Sequence, residues 1–411
     1  MKTFNVPVTY RSRLITAIKN HRKQADKLKK DLSPTLLDFG PVQFYLARHF
    51  GFCYGVENAI EISFRTIDEN PQKRIFLLSE MIHNPQVNHD LLSRNVKFLQ
   101  DTKGNQVIPF NELNADDIVI IPAFGTTLAI ENELRSRGIV IEKYNTTCPF
   151  VEKVWNRSEQ IAEKGYTIII HGKPQHEETR ATFSHAAENA PSLVLNDLDD
   201  AKILGEFIKG NKSPELFYEI FKGRYSEDFD PVKDLQRIGV VNQTTQLATD
   251  TQAIADYLKE TIREKYSLSD STIQLHFADT RDTLCYATND NQSAVRALLN
   301  TPANLAMVAG GYNSSNTMHL VELCEDKFPT YYISSADKIL SESEILHYNY
   351  HTKQEILSSS YLAYQQPVRI LLTSGASCPD AVVESIIAKI ASFYGAEAKL
   401  DEFLAAMSNG L

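Results

Sequence analysis

The stretch KYNTTCPFVEKVWNRSEQIAEKGYTIIIHGKPQHEET, residues 143–179, decides how the chain is read. A Thr-rich turn ends in Cys148, and the amphipathic segment FVEKVWNRSEQIAEK that follows predicts a helix. YTIIIHG then reads as a buried strand, and it gives out into the polar string HGKPQHEET. The same setting recurs twice. Cys53 lies in HFGFCYGVENAI (49–60) and Cys285 in DTLCYATNDNQSAV (282–295), each after an apolar stretch and a turn and each opening a helical segment. A thiol at a helix N-terminus is biased toward thiolate by the free N–H groups and the helix dipole. Thiolate is the form that binds iron or zinc. Three such settings predict three similar units, each giving one sulfur to a shared centre.

Outward from that stretch, short apolar runs alternate with amphipathic ones from about residue 40 onward. The predicted strands are FYLARHF, RIFLLSEMI, DIVIIPAF, IVIEKY, YTIIIHG, SLVLND, RIGVVNQ, IQLHFAD, NLAMVAG, TYYISS and RILLTSG. Helices fall between them, as in VENAIEISFRTI, TLAIENELRSR, TDTQAIADYLKETIREKY and PDAVVESIIAKIASFYG. Strand–helix alternation implies parallel sheets covered on both faces. The expected fold is therefore α/β, with three similar units in a pseudo-three-fold arrangement about the shared centre. The expected boundaries are a basic helical extension over 1–40, units over 41–145, 146–281 and 282–388, and a C-terminal segment over 389–411. The irregular stretch at about 205–235 reads as an insertion containing a short helix.

Bulk properties exclude several classes. At 411 residues the chain is long enough for two or three domains. A formal charge of −10 argues against general nucleic-acid binding. No run is long and apolar enough for a membrane span, and the polar N-terminus does not read as a signal peptide. Five sparse cysteines at 53, 148, 285, 324 and 378 do not form a disulfide framework, so the expected compartment is the cytoplasm. Residues 1–30 carry nine Lys/Arg and one acid, which leaves the rest strongly acidic. Within them LITAIKNHRKQADKLKKDL has a helical stripe at Leu14, Ile15, Ile18, Ala25, Leu28 and Leu32 with a basic outer face. It reads as a solvated helix on the body, or as a docking surface for an acidic protein.

Nearly every predicted strand ends in a small or polar signature: HFGFC, MIHN, PAFGTT, NTTC, HGKPQHEET, NQTT, ADTRDTLC, GGYNSSN and SGASCPD. Ligands of parallel α/β sheets bind beyond the carboxyl ends of the strands, so these groups are expected to face one cavity. HGKPQHEET offers His171, His176, Glu177, Glu178 and Thr179 for anion or metal binding and proton transfer, or simply forms a surface turn. GGYNSSNT and SGASCPD end strands and open helices, where N–H and side-chain donors converge on phosphate oxygens or merely cap the helix. His83 stands alone in its turn, and Thr244 and Thr245 read equally as hydroxyl donors or caps. Cys324 lies in the helical stripe MHLVELCEDKF and reads as core; Cys378 is a weaker ligand candidate. Buried thiols, a zinc site and an iron–sulfur cluster all remain open for the three cysteines, although short paired spacing typical of structural zinc is missing.

The ordered set GFCYGV, IHN, TTCP, HGKPQHEET, NQTT, DTLCYAT, NSSN and SGASCPD resembles the LytB-type family of 4-hydroxy-3-methylbut-2-enyl diphosphate reductases, from about residue 45 to 390. The basic extension and the HGKPQHEET form resemble its longer cyanobacterial and plastid branch. That resemblance implies one 4Fe–4S cluster per chain, with Cys53, Cys148 and Cys285 as ligands and a fourth iron left open for the substrate's hydroxyl oxygen. It implies His83, His176, Ser314, Ser315, Asn316 and Ser377 as diphosphate-binding positions, with imidazolium giving charge-assisted hydrogen bonds. Glu178 would deliver protons, and the Thr244 hydroxyl would lie beside the substrate oxygen. The implied reaction breaks the C–O bond of an allylic diphosphate to give isopentenyl and dimethylallyl diphosphate, closing the non-mevalonate isoprenoid pathway. The implied electron donor is a small redox protein, ferredoxin or flavodoxin. One position departs from the pattern common in bacterial members, Phe124 standing where they have a histidine. Two other classes compete: another open-site 4Fe–4S enzyme, dehydratase or quinolinate-synthase-like, and a zinc-stabilised binding protein.

Overall fold

The computed structural model describes residues 4–278 and 282–408; Asp279, Thr280 and Arg281 of the ADTRDTLC signature lie outside them. The described residues form four sheets. In the five-stranded sheet the order is Thr35–Asp38, Val42–Leu46, Val368–Ser374, Leu305–Ala309 and Thr330–Ile333. Its first pair is antiparallel and the rest parallel. A second sheet aligns Lys97–Phe98, Ile75–Leu77 and Ile118–Ile120 in parallel, and a third aligns Ser192–Leu195, Thr167–His171 and Ile238–Asn242 in parallel. The fourth is an antiparallel hairpin of Glu344–Asn349 and Gln354–Ser359.

The α/β class is as expected, with parallel pairing at the heart of three sheets. The third sheet shows why. Every residue of Thr167–His171 is buried. Ile169 packs with Phe207, Phe217, Phe221, Phe229 and Leu258, whereas Ile168 and Ile170 pack with Val154, Ile161 and Val241. Alternate side chains thus enter two different cores, which is what a strand covered on both faces requires.

Sheet membership does not follow chain order. Residues 4–61, 82–89 and 286–408 belong to one compact unit, and 62–81, 90–278 and 282–285 to another. The division at 285/286 falls on the bond after Cys285. The short helix of the 205–235 stretch is Pro214–Ile220, and Phe217 at its centre is fully buried, stacked on Phe229 at 5.1 Å between ring centroids.

Two predicted strands are corrected. IVIEKY contains the 3-10 turn Glu142–Tyr144, and the Ile121 N–H donates to its Tyr144 carbonyl at 3.1 Å, next to the bridge Ile121–Asn145. Among its described residues, IQLHFAD holds the turn Ile273–Leu275 and the bridge Ile238–Phe277. Short apolar runs of this kind have no periodicity that separates strand from turn. The N-terminal helix is also shorter than its apolar stripe. Arg13–Ala25 is capped by Ser12, whose Oγ accepts from the Ile15 N–H at 2.8 Å, and Leu14, Ile15 and Ile18 are buried. It stops before the lysine-rich run 27–30, and Leu28 is exposed. The edge strand Thr35–Asp38, the two-residue strand Lys97–Phe98 and the hairpin did not stand out from the sequence.

Because Phe217 anchors a core shared with the third sheet, Phe217→Ala is expected to cost about 3–5 kcal/mol in urea unfolding. A cost near zero would mean that residues 205–235 are peripheral to that core.

Candidate functional site

Each of the three cysteines directly precedes or caps a helix: Tyr54–Glu69, Pro149–Ala162 and Tyr286–Leu298. Each is also held by the same kind of backbone bond. The Cys53 N–H donates to the Ala376 carbonyl at 3.1 Å, that of Cys148 to Ala123 at 3.0 Å, and that of Cys285 to Thr244 at 3.1 Å. All three acceptors lie two or three residues past the end of a parallel strand. The strand ends therefore set where the sulfurs begin. Tyr54 and Tyr286, the residues after Cys53 and Cys285, are joined directly, the Tyr54 N–H donating to the Tyr286 hydroxyl at 3.1 Å.

All five cysteines are free thiols. Cys53, Cys148 and Cys285 are partly exposed, while Cys324 and Cys378 are fully buried. Burial pushes the Cys148 thiol up to about 12, with Cys285 and Glu178 adding to the rise. Desolvation thus outweighs the helix N-terminus, contrary to the thiolate bias read from the sequence. Among the described residues no three His, Cys, Asp or Glu side chains are gathered as a ready-made metal group. The donor chemistry nonetheless fits an iron–sulfur cluster: soft sulfur ligands, no disulfide, and in Cys148 a thiolate that needs a neighbouring cation.

In the same unit as Cys148 and Cys285, Glu178 and Thr244 form a buried pair. The Thr244 N–H donates to Glu178 Oε1 at 2.5 Å, and the Thr244 hydroxyl donates to Oε2 at 3.0 Å. Glu178 sits in the first turn of Glu177–Ala187, which His176 caps; its Nδ1 accepts from the Glu178 N–H at 3.2 Å. The imidazole is thus tied by Nδ1 to the start of the helix that it caps. Phe124 lies edge-on to this imidazole, with ring centroids 5.6 Å apart.

The other members of HGKPQHEET shape the turn. His171 Nδ1 meets the Thr251 hydroxyl at 3.0 Å, the Ser79 hydroxyl donates to Glu177, and the Thr179 hydroxyl donates to Gln243 Oε1 at 3.0 Å. Gln243, which the sequence reading passed over, is fully buried and also accepts from the Lys173 N–H and Gln246 Nε2. Its Nε2 donates to the Thr245 hydroxyl at 2.7 Å. Asn242 and Thr283 are likewise newly seen. Their backbone and side chains bond reciprocally at 2.8–3.0 Å and hold the DTLC turn to NQTT. The repeated amides in NQTTQ were the available signal.

The remaining candidates lie in the other unit. The Ser377 hydroxyl donates to the His83 carbonyl at 3.2 Å. Ser314 caps Ser315–Glu325 through the Thr317 N–H, and Ser315 and Asn316 occupy its first turn. A β-carbon at Gly311 would lie 2.2 Å from the His83 carbonyl oxygen, so only glycine lets these two turns meet. Asn316 Oδ1 accepts from the Ala376 N–H at 2.9 Å and from Asn291 Nδ2 at 3.4 Å. With the oxygen occupied, the amide orientation is fixed, and Nδ2 is buried without a partner. A buried unsatisfied donor costs about 1–3 kcal/mol, which a bound acceptor recovers. The turns that carry His83, Ser314 and Ser377 thus meet, with Ser315 and Asn316 in the helix turn that follows.

The family model "LytB protein" matches residues 44–391. A Picosynechococcus protein named 4-hydroxy-3-methylbut-2-enyl diphosphate reductase is 41% identical over 352 residues, covering 85% of this chain and 84% of its own. A Microcystis aeruginosa protein of the same name is 39% identical over 358 residues, with 87% and 86% covered. Among solved structures, the Plasmodium falciparum E-1-hydroxy-2-methyl-but-2-enyl-4-diphosphate reductase superposes with a TM-score of 0.61 at 20% identity, covering 86% of this chain and 88% of that one. A structure titled (E)-4-hydroxy-3-methyl-but-2-enyl diphosphate reductase, the terminal enzyme of the non-mevalonate pathway, gives 0.50 at 24%, with 84% and 98% covered. At these identities the structural likeness speaks for the fold.

Replacing Asn316 by Asp removes the orphaned donor and turns an acceptor toward any bound anion. Asn316→Asp is expected to weaken binding of inorganic diphosphate by about tenfold or more in calorimetry. Unchanged affinity would take Asn316 out of the site.

Proposed function

The chain belongs to the LytB family, and from that membership we propose that it reduces 4-hydroxy-3-methylbut-2-enyl diphosphate to isopentenyl and dimethylallyl diphosphate, the last step of the non-mevalonate isoprenoid pathway. The observation that carries the chemistry is the buried Glu178–Thr244 pair in the unit that also holds Cys148 and Cys285. The reaction takes up two electrons and two protons. The allylic C–O bond breaks, oxygen leaves as water, and a C–H bond forms at one end of the allylic system. A 4Fe–4S cluster on Cys53, Cys148 and Cys285, with one iron lacking a protein ligand, would supply the electrons singly and a Lewis acid.

The chain's own groups supply the rest. Hydroxide is a poor leaving group, so a proton must reach the departing oxygen. Glu178 would be the source of that proton, and the Thr244 hydroxyl, which donates to Glu178 Oε2, would lie beside the departing oxygen. The diphosphate would meet His83, Ser314, Ser315, Asn316 and Ser377, with His176 also among the positions that the family resemblance implies. Phe124 offers no hydrogen bond; its part is to steady the His176 ring.

Electrons would come from a small acidic redox protein, ferredoxin or flavodoxin. Support comes from the outer face of the N-terminal helix region, where Arg13, Lys23, Lys27 and Lys30 are exposed.

Two experiments test these assignments. Glu178→Gln is expected to keep its iron content and substrate affinity while kcat falls about 100-fold or more; near-normal kcat would remove Glu178 from the proton path. Reversing Lys23, Lys27 and Lys30 to Glu is expected to slow ferredoxin-driven turnover, more so at low salt, and to spare dithionite-driven turnover. Equal loss in both assays would remove the docking role.

A further inference from the structure

The hairpin Glu344–Asn349 and Gln354–Ser359 belongs to none of the α/β layers, yet it reaches back to the GGYNSSN turn. Tyr312 is the point of contact. Its ring stacks on Tyr348 with centroids 4.3 Å apart and planes 8° from parallel, and its hydroxyl donates to Glu355 at 2.9 Å. Tyr348 and Glu355 are direct cross-strand partners in the hairpin register, so one face of the hairpin presents a ring and a carboxylate side by side. Lys338 pairs with the same carboxylate at 2.5 Å and keeps it ionised, the state that accepts from a phenol.

The turn is held from beneath as well. Tyr332 packs edge-on against both Tyr312 and Tyr348, at 5.2 and 5.8 Å, and its hydroxyl donates to the Gly311 carbonyl. Gly311 touches the His83 carbonyl, and its own carbonyl also accepts from the Ser314 N–H at 3.0 Å. Tyr312 therefore stands two residues before the cap Ser314 and four before the orphaned Asn316 amide, on a turn gripped by three aromatic rings. Such a grip reduces the freedom that the turn must lose when it closes on an anion.

We propose that the 344–359 hairpin is a clamp on the diphosphate-binding turn, with Tyr312 as the positioning residue that transmits its hold to Ser314, Ser315 and Asn316. The clamp rests on the diphosphate reading of those donors. Its hold falls on the turn that carries Ser314 and Asn316, so its signature is affinity for the diphosphate rather than chemistry.

The test measures inorganic diphosphate binding to the full chain by calorimetry, then KM and kcat of the cluster-loaded protein. Tyr312→Leu removes ring and hydroxyl and is expected to weaken binding about tenfold, while Tyr312→Phe keeps the stack and weakens it about threefold. Glu355→Gln should match Tyr312→Phe, and the double variant should be no weaker than either alone. KM should rise with kcat within about twofold. Parallel falls in kcat, iron content and melting temperature would make the hairpin a general structural support and overturn the clamp. Tight binding by the parent chain with unchanged affinity in Tyr312→Leu would overturn the clamp and leave the diphosphate reading intact. No binding by the parent chain would overturn both.

Discussion

Everything at the candidate site depends on one repeated backbone hydrogen bond, from a cysteine N–H to a carbonyl just past a parallel strand. Cys53 is tied to Ala376, Cys148 to Ala123 and Cys285 to Thr244. The bond fixes the thiol at the mouth of a helix while the strand is locked by its neighbours in the sheet. A buried N–H left unpaired there would cost about 1–3 kcal/mol, so the turn cannot shift without penalty. With the cysteine positions set by backbone, the polar contacts fall to other side chains: the Glu178–Thr244 pair in one unit, and Ser314 and Asn316 in the other.

Those side chains follow a common economy. At each turn some polar groups hold the loop, and fewer remain to meet a ligand. His171, Glu177 and Thr179 bind neighbouring elements, whereas His176 and Glu178 cap and pair at the helix start. Gln243 is bonded through both ends of its amide and braces the HGKPQHEET turn against NQTT. A network so fully satisfied is rigid, and it keeps Glu178 from wandering off Thr244.

Much of this was legible in the sequence, for a physical reason. Parallel strands buried on both faces are continuous aliphatic runs, as in TIIIH, and polar residues that follow such a run fall at one edge of the sheet. That logic placed the cysteines, HGKPQHEET, NQTT and NSSN at strand ends, where the structure has them. It failed where tertiary contact decides. IVIEKY looks like a strand but curls into a 3-10 turn, and Cys148 looks activated by its helix but is governed by burial. The imidazole of His176 turns its Nδ1 to a backbone N–H, a cap that the sequence pattern does not show. Gln243, Asn242 and Thr283 were overlooked because bracing amides leave no periodic trace. The hairpin was hidden too, since its Tyr and His faces meet aromatic neighbours far away in sequence.

In the proposed enzyme three strand-anchored cysteines hold a redox cluster that serves an allylic diphosphate. The most direct test is anaerobic purification followed by turnover with 4-hydroxy-3-methylbut-2-enyl diphosphate and a chemical reductant, with iron and sulfide assayed on the same sample. The account predicts about four iron and about four sulfide per chain, and both five-carbon diphosphates among the products. Stoichiometric zinc, or a fully loaded iron–sulfur protein that leaves the substrate untouched, would contradict it.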